Sequence, residues 1–128
     1  MSSRTLIVMA ALAMAAPMSP AQARENVTSV KPLLIEALQK GRAEGVLVSS
    51  DAVAFSKRFG TTAPILVDVE RISTHKEPGC GRLRVVTRQA GVIELDAQGQ
   101  ARPAADQSFA WQVNYCVSGR FPIGEEGE

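Results

Sequence analysis

The segment "CGRLRVVTRQ", residues 80–89, alternates apolar and polar side chains with a period of two, and so does "FAWQVNYC", residues 109–116. In the first, Leu83, Val85 and Thr87 share one face, opposite Arg82, Arg84, Val86 and Arg88. In the second, Phe109, Trp111, Val113 and Tyr115 oppose Ala110, Gln112, Asn114 and Cys116. Successive β side chains point to opposite sides, so each segment reads as a half-buried strand. By parity, Cys80 falls with Arg82 and Arg84, and Cys116 falls with Gln112 and Asn114. An antiparallel pairing that sets Cys80 beside Cys116 also sets Leu83 against Val113 and Val85 against Trp111. Cross-strand pairs of that kind stabilise a sheet.

Outward from this pair, the alternation continues upstream. Ile65, Val67 and Val69 share a face, with Asp68 and Glu70 on the other. Ile72 rejoins the apolar side only if a bulge falls near Arg71. "KEPGCG" supplies turn residues, "VIEL" (92–95) reads as a short strand, and "DAQGQARPAADQ" as a loop. The N-terminal half has a helical period instead. In "TSVKPLLIEALQKG", Val30, Leu33, Leu34, Ala37 and Leu38 line one face. Thr28 or Ser29 is the expected cap, Pro32 suits the first turn, and Gly41 the stop. "SDAVAFSKRFG" reads as a second helix, with Ala52, Phe55 and Phe59 as its inward stripe. "VLV" (46–48) is too short to assign. The expected architecture is therefore α+β: two N-terminal helices covering the apolar face of a small antiparallel sheet of three or four strands, with one disulfide.

The two cysteines acquire their role from the chain's start. "LIVMAALAMAA" (6–16) is an apolar run behind Arg4, and Ala21-Gln22-Ala23 is a small-x-small cleavage site. Residues 1–23 are expected to be a removed signal peptide, the run being far below the roughly 20 residues of a membrane span. No membrane anchor is expected, and the product should be periplasmic or secreted. In such an oxidising space an isolated cysteine pair joins as a disulfide. The remaining chain is expected to be a single domain, 24–124, with an acidic tail at 125–128.

Cleavage removes one basic residue, Arg4, leaving 13 Lys plus Arg against 13 Asp plus Glu. A balanced chain argues against bulk capture of nucleic acid or of an anionic membrane. There is no phosphate-binding glycine motif, so no nucleotide or other cofactor is expected. One histidine and a bonded cysteine pair do not furnish a metal site. His75 is that sole histidine; with Asp68 or Ser73 it could form part of a hydrolase site, although no nucleophile elbow accompanies it.

Alternation aims Arg82, Arg84 and Arg88 at one side of the sheet, where they could grip an acidic partner or be neutralised by Asp68 and Glu70. Phe109, Trp111 and Tyr115 could line a ligand groove, but share their parity with core positions. Beyond the second cysteine, Arg120 and Phe121 in "SGRFPIG" either dock onto another protein or, with Ile123, fold back to close the core.

"PGCGRLRV" together with "FAWQVNYCVSGRFP" resembles small exported proteins of unassigned activity encoded in bacterial integrative and conjugative elements. The resemblance rests on Pro78-Gly79-Cys80, Arg82-Leu83 and Asn114-Tyr115-Cys116 through Pro122, and it implies no catalytic residue. It implies a role beside envelope-spanning transfer machinery. With the export signal, the disulfide, the balanced charge and no catalytic constellation, the expected function is a non-catalytic periplasmic binding or assembly module, accessory to a conjugation or secretion apparatus, whose partner is another envelope protein. A small periplasmic enzyme using His75 and an exported inhibitor or immunity-like protein are the alternatives.

Overall fold

The structure, a computed structural model, describes residues 24–123. The signal peptide and the acidic tail read from the sequence lie outside the described residues. Within them the order is β1 (Glu25–Val27), α1 (Lys31–Lys40), β2 (Arg42–Leu47), α2 (Ser50–Arg58), β3 (Ile65–Thr74), β4 (Cys80–Val92) and β5 (Ala105–Cys116). The strands form one sheet in sequential order, β1-β2-β3-β4-β5, parallel between β1 and β2 and antiparallel elsewhere.

This corrects the expected architecture. The sheet has five strands and is mixed, and the helices are interleaved with strands rather than preceding them. "VLV" is split between the end of β2 and the residue after it. "VIEL" is no separate strand: Val92 ends β4 beyond a register shift after Gln89. Gly91, at φ 66°, takes the left-handed conformation that a bulge of this kind asks of its extra residue.

α1 carries the core. Leu33, Leu34, Ala37 and Leu38 are buried, as the helical spacing requires, and meet Ala43, Val67, Val69, Leu83, Val85 and Tyr115 on the sheet. The helix has no side-chain cap; Val30 occupies the cap position instead of Thr28 or Ser29. It ends at Gly41, φ 95°, whose N–H donates to Ala37 O. Arg71 Nη1 donates to Leu38 O at 2.7 Å, placing a cation on the carbonyl-rich end of the helix. The close seating of α1 depends on Gly45 in β2. A Cβ there would lie 2.7 Å from Leu33 Cδ1 and 3.0 Å from Cδ2.

The second helix is different. Ser49 caps it by accepting from Ala52 N, but only Ala52 is buried. It lies at one end of the sheet, joined by Gln89 Nε2 donating to Ser56 Oγ and by Ile93 N donating to Phe59 O. The expected inward stripe is thus only partly realised, since Phe55 is 49% exposed and packs at a tilt against Phe59, ring centroids 4.6 Å apart. A register shift does fall between Arg71 and Ser73 in β3, yet Ile72 remains exposed.

Candidate functional site

The Cys80–Cys116 disulfide joins directly opposed residues of β4 and β5, in the register that also pairs Leu83 with Val113 and Val85 with Trp111. Both cysteines are buried. Two turns flank them. In the first, His75 N donates to Cys80 O, and His75 Nδ1 accepts from Glu77 N at 3.0 Å. In the second, Cys116 N donates to Arg120 O, and Tyr115 Oη donates to Gly119 O at 2.9 Å.

Glu77 ties these turns together. Its carboxylate accepts from Arg120 Nη2 at 2.8 Å and from Ile123 N at 2.9 Å. The Arg120 hydrogen bond, then that of the Ile123 amide, holds its pKa below the ordinary carboxylate value. Arg120 is therefore engaged within the chain. Phe121 meets Tyr115 edge-on at 5.7 Å, Pro122 is fully buried, and Ile123 is exposed. The segment thus folds back through Pro122, with Ile123 left outside. Glu77 and the two sulfurs lie within 4.8 Å of one another. The sulfurs are bonded to each other, so they provide no thiolate to a metal.

The arginine face is partitioned. Asp68 accepts from Arg24 Nη2 at 2.7 Å and from Arg88 Nη2 at 2.8 Å. Arg24, buried, also donates to the carbonyls of Gly45 and Val67. Arg82 donates to Gln112 Oε1 and Asn114 Oδ1. Arg84 is opposite Glu70 and Gln112 in the ladder and forms no ion pair among the described residues. Self-neutralisation therefore operates through Asp68, while Arg82 uses amides. The same geometry separates Asp68 from His75. Asp68 is seven positions up β3 from His75, about 20 Å at strand rise, and is held by two guanidinium groups on the polar face. Among the described residues, the structure does not bring Asp68 to His75.

The aromatic strand divides along its length. Tyr115 is core, Trp111 is half-buried, and Phe109 is 67% exposed. The reason is the path of α1, whose Leu38 lies over Gly81 but whose Leu33 meets the Gly45–Val67–Thr87–Phe109 row at Gly45 in β2, three strands from Phe109. There the sheet and α2 form a cleft of ≈ 270 Å³, whose apolar lining is Phe55, Phe59, Ile65, Val92 and Phe109, with Arg88 and Glu94 as its charged residues. A second groove, of ≈ 470 Å³, runs between α2 and the end of β2 past Val48, Val53 and Pro64. Phe55, Phe59 and Val92 had no functional signal in the sequence, because helical period alone assigns the two rings to a core. Arg24, Arg71 and Glu77 were missed as well, since their partners are far away in the chain.

No protein-family model, curated protein or solved structure matches this chain.

Proposed function

We propose that this protein is an exported, non-catalytic binding module, accessory to a conjugation or secretion apparatus, that docks an apolar segment of another envelope protein. The observation that carries the proposal is the cleft between α2 and β4–β5. Phe55 and Phe109, 49% and 67% exposed, form its rim, with Phe59 and Val92 beneath. Exposed aromatic side chains around a concavity are the composition of a protein-binding hot spot. The disulfide between β4 and β5 supports an oxidising destination.

The test is transfer or secretion efficiency in cells lacking the gene and complemented with either the natural chain or Phe55→Glu. Phe55 is on the surface of α2, so the variant should fold and reach the envelope at normal levels. The expected result is loss of complementation, together with loss of one specific cross-linked envelope partner. Full complementation by well-exported Phe55→Glu would remove the cleft from the function.

A further inference from the structure

β5 is an edge of the sheet, and it is an unusual one. From Gln107 through Cys116 it contains no charged residue and no proline. Long edge strands in soluble proteins are normally protected by charge, proline, bulges or a covering element, because their unpaired N–H and C=O groups template further pairing. The charged faces belong to β3 and β4, and the strand outside them is neutral.

The backbone register shows which groups are open. Val117 N donates to Gly79 O across the ladder, whereas Cys116 N turns away to Arg120 O. Antiparallel strands alternate these directions residue by residue. Tyr115, Val113, Trp111 and Phe109 therefore address β4, while Gln112, Ala110 and Ser108 direct their N–H and C=O outward. Among the described residues no strand lies beyond β5. The turn over Cys116 closes one end of the open edge, and Asp106, whose carboxylate accepts from Gly91 N, marks the other. The midpoint of the stretch between them is Trp111.

From this we infer that β5 pairs with β5 of a second copy, antiparallel about a two-fold axis through Trp111. In that register Ala110 and Gln112 of each chain exchange backbone hydrogen bonds with Gln112 and Ala110 of the other. On the apolar face Trp111 meets Trp111, and Phe109 meets Val113. The three central pairs on that face are apolar against apolar, and no charge faces a like charge, which is the self-complementarity an isologous interface requires. A charged or proline-bearing partner strand would be no better served by this edge, whereas the neutral sequence suits itself. The product is a continuous ten-stranded sheet with both α2 clefts on the same side. This inference shares Phe109 with the cleft, and its test therefore uses Ala110 and Gln112, which do not line it.

Sedimentation of the processed, oxidised chain and amide exchange across a concentration series test it. The expected result is a monomer–dimer equilibrium, with the Ala110 and Gln112 amides becoming protected as dimer forms. The Phe109 and Trp111 amides should be protected at every concentration. Ala110→Pro and Gln112→Pro each remove an outward donor, the placement in which an edge strand tolerates proline. Two symmetry-related hydrogen bonds are lost, so each should weaken dimerisation about 100-fold or more. A chain that stays monomeric at millimolar concentration, with Ala110 and Gln112 exchanging freely throughout, would overturn the inference. So would a dimer unaffected by both proline variants. Neither result bears on the Phe55→Glu test, so failure of self-pairing and failure of the docking function can be told apart.

Discussion

Gly45→Ala is the sharpest test of how the helix is seated. Gly45 lies in β2 beneath α1, paired with Val67 and Glu25. An added Cβ would stand 2.7 and 3.0 Å from the two methyls of Leu33 and 3.2 Å from Glu25 O. Leu33 is completely enclosed, so its methyls have nowhere to move without displacing Val67 or Ala37. Overpacking of this kind costs about 1–3 kcal/mol. Alanine recovers about 0.5–1 kcal/mol over glycine within a strand. The expected net loss is about 1–2 kcal/mol, a fall in melting temperature of about 5–15 °C for a domain of this size. Urea and thermal melts of the oxidised chain would measure it. A double-mutant cycle then isolates the cause. Leu33→Ala alone should cost about 2–5 kcal/mol. Combined with Gly45→Ala, the total should be smaller than the sum by about 1 kcal/mol, because the cavity accepts the new methyl. A Gly45→Ala protein as stable as the parent, or two strictly additive changes, would refute the close seating of α1 on β2.

Two further predictions concern the cysteine end of the sheet. The disulfide closes a loop of sequence separation 36, which in the chain-entropy treatment contributes about 3–4 kcal/mol. Cys80→Ala/Cys116→Ala should lose about that much by urea titration, and mass spectrometry of the unreduced native chain should show two hydrogens missing. Two free thiols would contradict both. Glu77 should also give the turns a pH dependence. Its pKa is lower in the folded chain, so its contribution is full above the ordinary glutamate value of about 4.3. It declines as pH falls below that value and is gone beneath the lowered folded one. The Ile123 amide signal should shift on acidification through this window and stay constant in Glu77→Gln. An identical acid response in the two proteins would remove Glu77 as the tether.

The β4–β5 pairing was legible because local alternation, parity and the two cysteines all specify one register. α1 was legible for a similar reason: four buried residues at helical spacing and a terminal glycine are local properties. The rest was settled by contacts between distant residues. β1 and β2 are strands because β1 is bonded alongside β2 and because Gly45 makes room for Leu33, and neither condition is visible in "ENV" or "RAEGVL". The role of Arg71 depends on the end of α1, and that of Arg24 on Asp68. Phe109 shows the division most plainly. Its parity places it on the apolar face, but whether that face is covered depends on the path of α1, which meets this row at Gly45 in β2 and not at β5. Periodicity determines which side of a strand is apolar; only the placement of the neighbouring elements decides whether that side meets a helix or remains open to a partner.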